Sequence, residues 1–475
     1  MPPPVAACIF VAFIVWALRN YSKREGAPLS PTLWVPLIWI MINSSRPLAY
    51  WFTNGTTAFE ARDPSEGSFI DRNAYLVMMA IGVVILCRRK QIDWGNVFSG
   101  SQWLWILYGY LLLSTLWAPD IFISFKRWIK DVGDIIMVLV ILTEEDPVEA
   151  IRGIFLRCAY VLIPLSILFL KYYPTIGRYE HRWTYTQGIS GITLSKNELG
   201  LLAMLSGLFL LWHMVDVYKV VDVCKRFGRK LALRPLVPDL LVFMMCLWIL
   251  WNAQSATASS CFIIGTAIFF AARFRLVEKN FGKVGWCLFG AGLVMLIFTM
   301  NSSFREMVTG MLGRNETLTE RTEIWEKALQ LGTNPLVGAG FSSVWLTQKG
   351  SDLAWEWGGL AHSHNGYLET YLNTGWIGVF LLFAALFAAG RSATRQLASG
   401  TVTGHLFVAL FLAGLFYNYS EVTFFRSNTL GLLFWLMIPY GLGSRGTAYA
   451  DQRFQSEDVE LSQEAESIEV FWPQN

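Results

Sequence analysis

Charge is what this chain has little of. Of its 475 residues only 15% are Asp, Glu, Lys or Arg, against 54% hydrophobic, and the mean hydropathy is +0.42. A soluble domain normally carries about 25% charged residues, so a soluble globular class is excluded. Usable cysteine is scarce as well. The seven (Cys8, Cys87, Cys158, Cys224, Cys246, Cys261 and Cys287) all fall in apolar runs, at their ends or in one basic loop. No CxxC pair and no disulfide framework can be drawn from them. There is no fixed-period repeat and no low-complexity tract, and no nucleic-acid partner is expected of so apolar a chain.

What the chain has instead is apolar runs, such as LLAMLSGLFLLW (201–212) and GVFLLFAALFAAG (378–390), separated by short basic or aromatic stretches. Runs of roughly 20 apolar residues span a bilayer as helices. The expected fold is therefore an all-α, polytopic transmembrane helical bundle of about 12–13 spans, near 4–18, 31–52, 73–87, 101–117, 129–143, 153–171, 197–215, 237–253, 256–272, 284–300, 375–390, 403–418 and 427–443.

Basic residues set the orientation. RNYSKRE (19–25), RRK (88–90), YKVVDVCKRFGRKLALR (218–234), RFRLVEKNFGK (273–283) and GRSATR (390–395) all fall on one side if thirteen spans is right. That side is the cytoplasm. The acidic TEEDPVEA (143–150) shares it, which matters little because acidic residues weigh little in this rule. The first apolar run has its basic residues after it, so it reads as an outside-in anchor. The chain then divides into transmembrane helices over 1–300 with a short cationic outer loop at 171–196, a large helical periplasmic loop at 301–374, C-terminal transmembrane helices over 375–443, and an acidic cytoplasmic tail at 444–475 with no apolar face. A stretch of about 70 residues between spans is too long for a plain connection and points to function.

In the large loop, TLTERTEIWEKALQLG (317–332) has Thr319 as an N-cap candidate and Ile324, Trp325, Ala328 and Leu329 on one face. It reads as an amphipathic helix on the membrane surface. Arg321 in its first turn opposes the helix dipole and calls for an anionic partner, either Glu320 or Glu323 nearby or an anionic ligand. NPLVGAGF (334–341) then has the proline and glycines of a tight turn. In HSHNGYLETYLNTGWIG (362–378), Asn365 is a strong N-cap. His364 therefore sits just before a helix N-terminus, where the dipole disfavours the imidazolium and suits the ring to be a general base. A structural histidine is the plainer reading, and His362 with His364, Glu369 and Asp352 offers a metal-site alternative. The other outer loop, KYYPTIGRYEHRWTYTQGISGITLSKNELG (171–200), clusters Arg178, His181, Arg182 and Lys196 among aromatic residues. An aromatic interfacial belt accounts for the rings but not for outer-side cations, which suit a diphosphate.

These segments resemble the O-antigen ligase and polymerase superfamily. His364-Asn365, nine residues, Gly375, two residues and Gly378 is similar to its H-[NSQ]-x9-G-x-x-G signature. RTEIW…NPLVGAGF resembles the arginine helix and NPxxGxGF segment before it, RWTYTQGISGITLSKNELG the R-x-x-G…N-x-L-G segment, and WAPDIFISFKRW (117–128) the W-S-P-D…S-x-x-R segment. They occur in the family's order over roughly 115–380. One departure stands out: where members often carry S-R-[TG], this chain has Ser255-Ala256-Thr257.

The resemblance implies a multi-pass glycosyltransferase of the bacterial inner membrane, metal-independent and without a cofactor, its active site facing the periplasm. The donor would be a glycan on undecaprenyl diphosphate, and the acceptor a glycan or lipid hydroxyl. Membrane lipids and other polysaccharide-assembly proteins would be its partners. His364 and Arg321 would be catalytic. Arg182, Lys196, Arg178, Asn197, Asn365 and Glu369 would bind the diphosphate or glycan. No DxD-type carboxylate pair occurs in either outer loop, as expected if arginines replace a metal ion. The rival class is a transporter or flippase of lipid-linked glycans, which spans nearly free of charge and the lack of repeats disfavour.

Overall fold

The computed structural model describes residues 1–25, 29–52, 68–90, 92, 94–180, 187–226, 236–274, 321–357, 362–398, 400–426 and 428–440. The proposed span at 284–300, residues 301–320 with Arg305 and Thr319, His181 with Arg182, and the tail at 444–475 lie outside them.

In chain order the helices are α1 (Pro3–Glu25), α2 (Trp34–Asn43), α3 (Leu48–Phe52), α4 (Phe69–Arg88), α5 (Trp94–Gly100), α6 (Gln102–Ser114), α7 (Ile121–Leu142), α8 (Pro147–Tyr172), α9 (Lys196–Arg226), α10 (Val237–Ala253), α11 (Ala256–Ala271), α12 (Arg321–Leu329), α13 (Gln348–Glu356), α14 (Gly366–Ala398), α15 (Val402–Ser420) and α16 (Thr429–Tyr440). Between α8 and α9 a hairpin pairs β1 (Arg178–Glu180) antiparallel with β2 (Gln187–Ile189), Tyr179 opposite Gly188. The protein is an all-α, multi-pass membrane protein. Among the described residues six helices are long and apolar enough to cross a bilayer: Pro3–Lys23, Phe69–Arg88, Pro147–Tyr172, Lys196–Tyr218, Gly366–Ala398 and Val402–Ser420. Shorter apolar helices run over Pro31–Asn43, Val237–Ala253, Ala256–Ala271 and Thr429–Pro439. Val77, Val84, Trp251 and Phe380 point outward and stay exposed, an arrangement that only a lipid solvent favours.

Local chemistry sets where helices start. Asp120 accepts from the Ile123 amide at 2.8 Å to open α7, and Asp146 from Glu149 at 3.0 Å to open α8, with Pro147 in its first turn. These caps satisfy amide donors that have no intrahelical partner. Two sequence expectations change. The run 31–52 is not one span: it breaks between α2 and α3 at Ser44–Pro47, because proline lacks an amide and drives its predecessor out of the helical region. Nor are the spans nearly free of charge. α7 buries Asp131 and Asp134, which accept from Tyr108 (2.9 Å) and from the Trp39 indole (2.7 Å), and α10 buries Asp239. Apolar patterning hid them because each lies on a face turned into the bundle.

The core is built from α9 packed on α8, α10 and α11, and from α14 packed on α6, α15 and α16; α11 against α15 joins the two groups. Trp212, Phe209, Phe407 and Trp435 are fully buried there, with Phe155 stacked on Phe209 at 4.2 Å. One end of this bundle gathers the N-termini of α9, α11 and α14 with the C-terminus of α15. The segment 321–357 folds over that end.

Candidate functional site

The apolar face of α12 does not lie on a membrane. Ile324, Trp325 and Ala328 are buried against Leu368 and Leu372 of α14 and Val344 and Leu353. The first turns of α14 offer an apolar stripe at helical spacing, which covers that face more fully than an interface would. The Trp325 indole then donates to the Ser363 carbonyl at 2.9 Å, fixing α12 to the histidine segment.

That segment is shaped by its own residues. Asn365 caps α14, its Oδ1 accepting from the Tyr367 and Leu368 amides at 3.0 Å each. His364 takes φ +52°, a left-handed conformation uncommon outside glycine. Gly366 follows without a Cβ because Asn418 of α15 stands 2.5 Å from where one would be. The Gly366 amide donates to the Glu421 carbonyl at 3.0 Å. The start of α14 is thereby clamped to the end of α15.

Gly375 interrupts α14 at φ 63°, ψ −167°, a conformation essentially restricted to glycine. NPLVGAGF fills the interruption. Trp376 and Ile377 amides donate to the Pro335 and Leu336 carbonyls (2.9 and 3.2 Å), and Ala339 and Gly340 amides to Leu372 and Asn373 (3.0 and 2.8 Å). The WAPD segment closes from the far side, with Trp117 donating to the Val337 carbonyl and Ser124 to that of Phe341. Arg127 donates to the Ser342 carbonyl. Three motifs far apart in sequence thus form one backbone-bonded block.

Against this block, three of the sequence-derived candidates, Arg321, His364 and Asn197, meet on a carboxylate that the sequence reading missed. Arg321 Nη2 donates to Glu421 Oε1 at 2.7 Å, and its Nη1 to the Ser420 carbonyl at 2.5 Å. His364 Nδ1 lies 3.2 Å from Glu421 Oε2. Asn197 Nδ2 also donates to Glu421 Oε1, at 2.6 Å, while its Oδ1 accepts from Ser255 at 3.3 Å. The Glu421 side chain is only 7% exposed, whereas Arg321 and His364 keep 24% and 26% open. Among the described residues Arg321's anion is therefore Glu421, 100 positions along the chain, and not the neighbouring Glu323. Glu421 had a sequence signal: it sits in the turn between the last two spans, which the same topology puts on the outer side, with Arg426 five residues on. Thr257 bonds Ser420 through its hydroxyl at 2.8 Å, so the Ser255-Ala256-Thr257 departure borders the site.

The other candidates are placed differently. Glu369 is committed to structure: its Oε1 accepts from the Trp345 indole at 2.8 Å and its Oε2 from the Ser363 amide at 2.9 Å. It still borders a small cavity lined by Ser342, Asn373, Phe425 and Arg426. Lys196 opens α9 beside Asn197. Arg178 is exposed on the hairpin, 3.4 Å from Gln187 Oε1. His362 stacks edge-on against His364, ring centroids 4.2 Å apart, and its Nδ1 accepts the His364 amide at 3.3 Å. Burial, with Arg426, His364 and Arg321 nearby, pushes the His362 imidazole well below its usual range and keeps it neutral. Among the described residues no group of three or more His, Cys, Asp or Glu is placed to hold a metal ion.

Comparison with known proteins gives two matches. Residues 240–383 match the family described as O-antigen ligase, a stretch that contains Arg321, NPLVGAGF and His364. Exopolysaccharide production protein ExoQ of Rhizobium meliloti (strain 1021) is 24% identical over 330 residues, covering 67% of this chain and 70% of that protein.

Proposed function

We propose that the chain is a membrane glycan-processing enzyme of the O-antigen ligase and polymerase superfamily, supported by the match over residues 240–383 and the likeness to an exopolysaccharide production protein, and that it transfers glycan from an undecaprenyl-diphosphate-linked donor to an acceptor hydroxyl. The name of the relative, an exopolysaccharide production protein, favours polymerisation of an exopolysaccharide over ligation to lipopolysaccharide. The enzyme works in the bacterial inner membrane with this end of the bundle at the periplasm.

The observation that carries the reading is the meeting of Arg321 and His364, 43 residues apart, at one partly open site. The acceptor oxygen attacks the anomeric carbon as the bond from that carbon to the diphosphate oxygen breaks. The bonding pair leaves on the diphosphate, and the acceptor proton passes to His364 Nε2. A hydroxyl is a poor nucleophile until deprotonated, which is the task of the imidazole. Charge develops on the leaving diphosphate, and the Arg321 guanidinium, which can grip phosphate oxygens in pairs, stabilises it. Arg182, Lys196 and Arg178 add positive potential for the donor, and no metal ion is required. Direct attack inverts the anomeric centre.

The test is transfer by purified protein in lipid nanodiscs, with a lipid-diphosphate-linked glycan as donor. His364→Ala abolishes transfer without loss of membrane insertion, and Arg321→Lys is severely impaired because lysine offers no fork. Normal transfer by both variants would overturn the assignment. In the host, deletion leaves single repeats on the carrier; long carrier-linked chains would point to a ligase instead.

A further inference from the structure

Resting on that reading, we propose that Glu421 is the positioning residue of the site and that donor binding passes its charge from Arg321 to His364. The carboxylate is shared three ways: Oε1 between Arg321 and Asn197, Oε2 with His364. It cannot wander. Its amide donates to the Tyr417 carbonyl and its carbonyl accepts the Gly366 amide, each at 3.0 Å. Asn197 is oriented in turn, since its Oδ1 accepts from Ser255 and its carbonyl from the Tyr417 hydroxyl at 3.1 Å.

Two consequences follow. A carboxylate facing Nδ1 selects the tautomer with its proton there, which leaves the Nε2 lone pair for the acceptor. Second, Glu421 occupies on Arg321 the place that a phosphate oxygen takes. A diphosphate brings more charge and more acceptor oxygens, so it displaces the carboxylate from the guanidinium. Asn197 keeps Oε1 in position meanwhile. With its arginine partner gone, Glu421 still feels the Arg426 guanidinium, and the imidazolium forming on His364 is the cation left against its carboxylate oxygens. The 3.2 Å separation is longer than the about 2.7–2.9 Å of a charge-assisted bond, as expected of a contact that tightens only in the loaded site. Base catalysis is thereby coupled to the presence of donor.

Steady-state kinetics with Glu421→Gln and Glu421→Asp test this, using the lipid-diphosphate-linked glycan in nanodiscs. In Glu421→Gln, kcat falls roughly 10²- to 10⁴-fold, the range that general base catalysis supplies. Donor KM stays level or drops, because a competitor for Arg321 has gone. Glu421→Asp recovers part of kcat. A purely structural carboxylate would instead raise KM and lower the melting temperature together, and that pattern overturns the proposal. So does near-parental kcat in Glu421→Gln while His364→Ala is dead, which leaves the glycosyltransferase reading standing. If His364→Ala and Arg321→Lys both transfer normally, that reading fails first. Should Glu421→Gln not fold, nitrogen chemical shifts of labelled histidines in the parent protein decide: the Nδ1-protonated tautomer at His364 supports the proposal, and the Nε2-protonated form refutes it.

Discussion

Replacing Gly375 with alanine tests whether the break in α14 holds the site together. An alanine Cβ would sit 2.2 Å from the Leu336 carbonyl carbon and 2.4 Å from the Val337 nitrogen. Both are backbone atoms, so no rotamer change relieves the clash. The conformation itself costs a non-glycine residue about 1–3 kcal/mol. If α14 straightens, NPLVGAGF loses the four backbone hydrogen bonds made by Trp376, Ile377, Ala339 and Gly340, each worth about 0.5–1.5 kcal/mol net. Together these amount to roughly 3–9 kcal/mol, set against the typical total stability of about 5–15 kcal/mol. Thermal unfolding in detergent should show a large drop, limited proteolysis should cut near 335–340, and transfer should be lost. Gly109→Ala is the control, since nothing lies within 4 Å of its Cβ position; in mid-helix it should be neutral or stabilising by about 0.5–1 kcal/mol. A Gly375→Ala protein that melts, resists protease and transfers like the parent would refute the reasoning.

Glu369→Gln should destabilise by about 1–3 kcal/mol, because its amide group turns a donor toward either the Trp345 indole or the Ser363 amide. Unchanged melting with weaker substrate binding would instead make Glu369 a ligand-binding residue. Asn365→Ala removes the α14 cap at a cost of about 0.5–2 kcal/mol, read by thermal unfolding; equal stability contradicts the capping role. For His362 the sign follows from its depressed folded-state affinity for protons. Below about pH 6.5 the unfolded chain takes up the proton and the folded protein does not, so stability is full above that pH and falls as pH drops through it. The slope from this group is at most about 1.36 kcal/mol per pH unit. Comparing His362→Asn with the parent at pH 7.5 and 5.5 should show a shallower loss in the variant, and equal losses would count against the neutral ring.

Apolar patterning was enough to identify a helical membrane protein and to place most of its helices, because lipid leaves the backbone few other ways to satisfy its hydrogen bonds. Asn365 as a cap was legible, since it is dictated by local backbone chemistry, whereas Gly375 entered the sequence reading only as part of the signature and its break came from the structure. Whether Arg321 and His364 share a site was not legible. That depends on α12 burying Trp325 against α14, on Gly366 admitting Asn418, and on α15 ending where Glu421 can reach both. Glu421 escaped the sequence reading because one glutamate in a short turn has no periodic signature; its meaning comes from three partners at positions 197, 321 and 364. Local propensity and hydropathy act over a few residues, so composition determined the solvent and the helices. Contacts between residues tens to hundreds apart are set by packing, and only the tertiary structure decided which charges meet.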